Sequence, residues 1–365
     1  MSQAEFQFSG YVINFSTYQR IDENISEFFR TDNSVFSNFT RLRLRPTYYT
    51  APRTRIALEY EITALLQSSL LAFGEPTERT NRQLVNLHWT PIEEAHFVLT
   101  HFIDRLYLWQ DFDLGTFIIG RQRIAWGSGR IWNPTDMFNP INPANFNKIE
   151  KDGADAVSLK LYLGNFTDLQ FVYNPADEFR LNNGAVRFRS NFKTYDFSIM
   201  TGYFDQRIII GGDFAGNVFK AGFRGEAILS ANEKQFSSNF VKYIFGLDYQ
   251  FNPKFYGLVE YHYNGEGQKD KQDYELERLL AGEILNLNKS YLYLLATYFV
   301  HPLISSSFGY NANLIDGSGF VNGIATLSLS ENLYANLGLL FPYAGGFDEY
   351  WYYSKAIYLS IEYYF

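Results

Sequence analysis

Arg41, Arg43 and Arg45 alternate with Leu42 and Leu44, and this spacing is the first chemistry legible in the chain. Side chains two apart on an extended strand share a face. The pattern therefore sets a ladder of guanidinium groups against an apolar back. Guanidinium stays charged and pairs bidentately with carboxylate or phosphate, so such a ladder facing water favours anions or anionic sugars. The same alternation recurs. Arg55, Glu59 and Glu61 oppose Ile56, Leu58, Tyr60 and Ile62, and His101, Arg105 and Tyr107 oppose Val98, Phe102, Leu106 and Leu108. Arg121 and Arg123 oppose Ile118, Ile124 and Trp126, an assignment that strands Gln122 on the apolar side. Further on, Arg187, Arg189 and Lys193 oppose Val186 and Phe188, while Lys220, Arg224 and Glu226 oppose Phe219, Ala221 and Phe223. The competing reading has these arginines neutralised by Glu59, Glu61, Glu226, Asp248 and Glu260, stiffening a wall without selecting anything. The excess of inward Arg and Lys over inward acids favours selectivity.

Elements that alternate in this way need lipid on one side and water on the other. Aromatic residues make up 19% of the 365 residues, with 35 Phe and 28 Tyr, yet no apolar run reaches the ~20 residues of a membrane-spanning helix. The most apolar stretch, 290–300, is strand-length and ends at His301-Pro302. Only helices and closed barrels satisfy their backbone groups inside a bilayer, which leaves an all-β transmembrane antiparallel barrel as a single domain over 1–365. A secreted, soluble all-β protein is the competing class, but it would bury its apolar face and carry fewer aromatics per segment. The absence of cysteine excludes disulfide scaffolds, thiol catalysis and thiolate metal sites. A net charge of -8 argues against nucleic acid as a partner. The first residues enter a strand pattern without a basic region or apolar core, so the numbering is expected to begin at or near a mature amino-terminus.

Alternation bounded by turn residues predicts strands at 4–17, 38–50, 53–68, 95–111, 114–127, 154–165, 167–174, 184–193, 195–204, 217–229, 238–251, 254–265, 288–300, 303–314, 319–331, 333–343 and 353–365. A single-chain barrel with both ends in the periplasm needs an even number. Tight turns near Thr50–Arg53, Asp111–Leu114, Asn165–Asp168, Lys193–Asp196, Asn252–Lys254, His301–Leu303 and Ser330–Leu333 place the missing strand between Asp196 and Asn252, at Arg207–Gly216. The expectation is eighteen strands, with sixteen as the alternative, and a porin-like width either way. Long external loops are expected at 18–37, 69–93, 128–153, 175–183, 230–237, 266–287, 315–318 and 344–352, with either a short surface helix or a solvated charged loop within 268–287.

The loop at 128–153 leaves its strand through Gly127-Ser-Gly129 and carries three Asn-Pro pairs, at 133–134, 139–140 and 142–143, whose restricted backbones favour a rigid course. It either folds into the lumen and sets the bore, or caps the barrel externally. In the first case Arg130, Trp132, Asp136, Lys148, Glu150 and Lys151 are constriction residues.

The last ten residues place Ile357, Leu359, Ile361, Tyr363 and Phe365 on one face and Tyr358, Ser360, Glu362 and Tyr364 on the other. This resembles the terminal strand of bacterial outer-membrane proteins. The resemblance implies that Leu359, Ile361, Tyr363 and Phe365 form a signal read by the outer-membrane assembly machinery. The Gly-Arg-Gln strand at 120–122, the Trp-Gly at 126–127 and the Asn-Pro and Phe-Asn-Pro elements beyond them resemble Gram-negative outer-membrane porins related to the alginate-export barrels. Gly222-Phe-Arg-Gly-Glu226 and Glu260-Tyr-His-Tyr-Asn-Gly265 are similar to later strands of that group. The resemblance implies eighteen strands and an Arg-rich conduit for anionic polysaccharide.

Together these features predict an outer-membrane porin passing small hydrophilic, anionic or sugar-like solutes by diffusion, in contact with lipid and lipopolysaccharide, without metal or other cofactor. One alternative is a dedicated conduit working with a periplasmic partner, as a polysaccharide exporter or a cytochrome sheath. Another is a rim-sited hydrolase using His101 or His262. The five histidines show no metal spacing and no Gly-Xaa-Ser-Xaa-Gly occurs, so the chain is not expected to be an enzyme.

Overall fold

The computed structural model describes residues 5–23, 26–27, 32–69, 82–139, 150–232, 238–280 and 284–365. Nineteen strands occur among the described residues. They are β1 (Glu5–Arg20), β2 (Ser34–Ala51), β3 (Thr54–Gln67), β4 (His88–Glu94), β5 (Phe97–Phe112), β6 (Gly115–Gln122), β7 (Ala154–Tyr162), β8 (Asp168–Asn174), β9 (Asn183–Phe192), β10 (Tyr195–Phe204), β11 (Arg207–Val218), β12 (Ala221–Ala231), β13 (Phe240–Asn252), β14 (Phe255–Asn264), β15 (Ser290–His301), β16 (Ile304–Asn313), β17 (Gly319–Ser330), β18 (Leu333–Tyr343) and β19 (Lys355–Tyr364). All pairings are antiparallel. β1 pairs with both β2 and β19, so eighteen strands close into a ring and β4 stands outside it. Closure leaves no long edge to aggregate. No helix among the described residues is long and apolar enough to cross a membrane. One helical turn, Leu276–Leu280, falls within the loop where a short surface helix is expected.

The expected strand count holds, including Arg207 onward, but β11 runs to Val218 and reverses at Phe219-Lys220 rather than at Gly216-Asn217. Phe219 therefore belongs to an exposed turn, with φ 56°, and not to a lipid-facing strand.

β4 has no counterpart among the expected strands. β6 pairs with β5 only from Leu106 to Phe112, because the chain leaves the wall after Gln122. β4 takes the vacated upper edge of β5, from His88 opposite Phe102 to Glu94 opposite Phe97. Arg82–Leu87 continues the repair: Asp155 N–H donates to Arg82 O, and Val85 N–H donates to the Asp155 carboxylate.

Two facing assignments invert. In β5 a bulge inserts Asp104 between Arg105, opposite Glu59, and Ile103, opposite Tyr60. Above it Phe102 pairs with Glu61, whose carboxylate reaches Arg43, and His101 pairs with Ile62. A one-residue insertion flips every later side chain. Phe102 and Val98 consequently turn inward. His101 turns to the outer face, 2.7 Å from the Tyr60 hydroxyl and stacked on Trp89, which corrects its expected pore-lining position. In β6, Ile119 faces out with Leu108, and Ile118 and Gln122 face in with Trp109 and Ala154. The residue that seemed misplaced, Gln122, is thereby inside, and Arg121 has the outer parity. Gly120, at φ 119°, is required because a Cβ there would collide with Leu106 O.

Candidate functional site: the lumen and the segment that crosses it

After Gln122 the chain enters the barrel. Ile124 and Trp126, expected against lipid, are buried inside with Met137 and Phe138 on the inner wall residues Val172, Ala185, Met200, Phe204, Ile209 and Ile228. Burying these apolar groups holds the first leg against β8 to β12. The tip then crosses to β12 and β14, where two carboxylates receive its backbone. Glu226 accepts the N–H groups of Ser128, Gly129 and Thr135 and the Thr135 hydroxyl. Glu260 accepts those of Arg130, Ile131 and Trp132, at 2.9, 3.1 and 2.7 Å. Charge-assisted bonds of this kind are the stronger ones. A Cβ at Gly127 would come within 2.7 Å of the Glu226 carboxylate, so close approach requires glycine there. Trp132 stacks on His262 and lies edge-on to Tyr293.

The returning leg seats on the opposite side. Glu150 bonds Arg45 and lies 3.1 Å from Arg105, and Gly153 N–H donates to Asp104 at 2.9 Å. Lys151 pairs with Asp136, whose second oxygen has no hydrogen-bond partner. Burial pushes the Asp136 carboxyl up to about 6 although the Lys151 ammonium pulls it back. Residues 128–139 and 150–153 thus lie within the lumen, as the in-folded expectation had it; the segment leaves the wall earlier than expected, at residue 123. Lys148 lies outside the described residues.

The basic wall is present but largely neutralised. Arg41 pairs with Glu61 at 2.9 Å, and Arg43 reaches Glu59, Glu61 and Asp104. Arg105 holds Glu59 at 2.8 Å, and Arg187, Arg189 and Arg224 hold Asp213, Asp168 and Asp248. Arg55 stacks on Trp109, 4.1 Å from the ring centre. Arg121 is enclosed between β5, β7 and the 82–87 segment, bonding Asp155 and the carbonyls of Ile103 and Val85. It cannot touch a solute in the lumen. Glu226 and Glu260, expected as counter-charges for arginine, hold the segment instead. Arg123 and Arg130 differ from the wall set. Both are exposed on the crossing segment and neither forms an ion pair among the described residues.

Alternation alone does not signal the holding role of Glu226 and Glu260, which depends on what the barrel brings opposite them. The one visible signal is Gly127-Ser-Gly129, whose small residues let backbone approach a carboxylate.

A closed eighteen-stranded barrel with an apolar exterior and a segment folded across a polar lumen is the architecture of outer-membrane porins. No family model and no curated protein matches the chain. Among solved structures it is similar to OccAB4 of Acinetobacter baumannii, with a TM-score of 0.59, 10% identity and coverage of 99% of this chain and 98% of that one. It is also similar to a BenF-like porin from Pseudomonas fluorescens, with a TM-score of 0.58, 8% identity and coverage of 99% and 98%. A Rhodopseudomonas blastica porin variant has a TM-score of 0.52, 9% identity and coverage of 99% and 100%. At such identities the likeness is one of fold. These neighbours do not carry the alginate-export relation that the Gly-Arg-Gln motif suggested.

Proposed function

We propose that this chain is an outer-membrane porin that passes small hydrophilic, preferentially anionic, solutes by diffusion. The observation carrying the reading is that residues 123–139 cross the lumen and expose two guanidinium groups, Arg123 and Arg130, that form no ion pair among the described residues. Arg55, which stacks on an aromatic ring, adds to the same field. The buried pairs of Arg41 and Arg43 stiffen the wall and contribute little to it. A lumen crossed in this way suits diffusion better than a sheath around a protein partner. Under this reading the long loops face outward among lipopolysaccharide, and the terminal strand from Leu359 to Phe365 is read by the assembly machinery.

Conductance in planar bilayers tests it. Open channels whose reversal potential under a salt gradient indicates anion preference, lost in an Arg123→Ala, Arg130→Ala variant, are expected. A barrel that never conducts would refute the porin reading.

A further inference from the structure

The wall of the barrel is tall on one flank and short on another. β1, β2, β3 and β5 have 16, 18, 14 and 16 residues, whereas β6, β7 and β8 have 8, 9 and 7. A tilted strand needs about 9–11 residues to cross a bilayer. The tall flank exceeds that length and the short flank falls at or below it.

On the short flank the upper boundary of the apolar belt is fixed by polar groups. Beyond the outward pair Ile119 and Val157, Arg121 lies opposite Asp155, and the backbone of 82–87 crosses there, with Val85 N–H donating to Asp155 at 2.9 Å. On the neighbouring strands Asn183 donates to Asn174 at 2.9 Å, Asn174 donates to Arg82 O, and Arg82 holds Asp205 through two bonds of 2.7 Å. Ions and irregular backbone are not tolerated against lipid, so the belt ends beneath them, at Tyr173 and Tyr203, each nearly half exposed. At ~3.3 Å per residue and a tilt near ~40°, the outward run from Val157 to Leu161 spans about 10 Å of the membrane normal, against about 25 Å between Phe8 and Tyr18 on β1.

The periplasmic turns of this flank extend the belt downward. Leu163 and Phe166 between β7 and β8, Phe192 at the end of β9, and Phe219 between β11 and β12 are between 59% and 100% exposed. Lys193 and Lys220 directly follow Phe192 and Phe219 and are exposed too. The hydroxyls of Thr167 and Ser190, at that level, bond each other at 2.8 Å. Elsewhere on the same rim the turn between β17 and β18 is Glu331-Asn332, exposed and polar.

We propose that the flank from β6 to β12 draws the phospholipid inner leaflet toward the membrane midplane, so that its turns at Phe166 and Phe219 lie among acyl chains and the bilayer is thinner here than beside β17 and β18. Continuity selects lipid as the occupant. The turns extend an outer face already apolar and exposed at Ile119, Phe171 and Ile199, and only lipid meets the whole of that face from the tyrosines to the turns. A lysine behind Phe192 and another behind Phe219 reach the phosphate level while the rings stay in hydrocarbon. Bilayers relieve a short apolar belt by thinning, at modest cost per ångström. The proposal needs only membrane insertion and is independent of the solute that the lumen passes.

Spin labelling of the whole chain in bilayers tests it, because no native cysteine competes for the label. Labels at Phe166→Cys and Phe219→Cys are expected to collide with oxygen, which concentrates in lipid, several times more than with a water-soluble nickel chelate. A label at Asn332→Cys is expected to show the reverse preference. Nickel preference at Phe166→Cys and Phe219→Cys would place those turns in water and overturn the proposal. Oxygen preference at Asn332→Cys as well would mean a belt equally low all round, which also overturns it. Labels shielded from both reagents in native outer membranes, yet open to nickel in bilayers of the purified protein, would assign the turns to a protein partner instead of lipid.

Discussion

At the scale of single residues, charge counts only where it is exposed and unpaired. Arg43 has four carboxylates around it and 4% side-chain exposure, so a passing ion meets little of its field. Removing one partner from such a buried set leaves the others uncompensated, and Arg43→Ala is expected to destabilise the barrel by about 3–5 kcal/mol. Its reversal potential should stay close to wild type, whereas Arg123→Ala with Arg130→Ala should move the reversal potential and leave the melting midpoint unchanged. Measuring both quantities on both variants separates stiffening from selection. Asp136 gives a pH dependence. Its carboxyl titrates near 6 in the folded segment against 3.8 in an open chain, so the folded state binds the proton more tightly. The resulting contribution to seating is full below about pH 4 and is lost as pH rises through 6. Channel noise is expected to grow between about pH 4 and 7, and Asp136→Asn to flatten that rise.

At the scale of elements, the crossing segment is an ordered part of the barrel because the wall supplies partners for its backbone. Buried N–H groups need acceptors. Glu226 and Glu260 provide them for six, with the Thr135 hydroxyl as a seventh donor. Replacing either carboxylate by glutamine weakens several charge-assisted bonds at once. Glu226→Gln is expected to loosen the segment and raise unit conductance severalfold, with the barrel still folded; unchanged conductance would mean that apolar packing of Ile124, Trp126 and Phe138 suffices to hold it. Gly120 decides where the segment departs. Gly120→Val combines a strained positive φ with a clash at Leu106 O, and a loss of roughly 1–3 kcal/mol in urea unfolding is expected.

At the scale of the whole molecule, the ring closes where β1 meets β19. Gly10 and Phe365 exchange both backbone bonds, at 2.8 and 3.0 Å, and the Phe365 ring lies over Gly10 beside Phe8. A Cβ on Gly10 would come within 2.9 Å of that ring. Gly10→Leu should therefore impair closure, seen as loss of the compact gel form. Glu349 ties the loops at the opposite end together, accepting from Leu287 N–H, the Tyr291 hydroxyl and the Asn313 amide, so the far rim is braced as the near rim is stitched.

The sequence by itself determined the barrel. Period-two alternation, short turns and the aromatic terminal strand depend on neighbours along the chain, and so do the eighteen strands and the inward course of Arg41, Arg43, Arg45, Arg105 and Arg224. The tertiary structure alone decided the rest. The bulge at Asp104 that turns His101 outward is invisible to alternation, because one inserted residue keeps the local pattern while inverting the facing of the strand beyond it. Ile118 and Ile119 offered apolar residues to both faces, so only pairing with β5 and β7 could tell them apart. Pairing with carboxylates on nearby strands of the wall neutralised most of the arginine ladder, and the crossing segment claimed Glu226 and Glu260. Those contacts join residues about a hundred positions apart, and only ring closure brings them together.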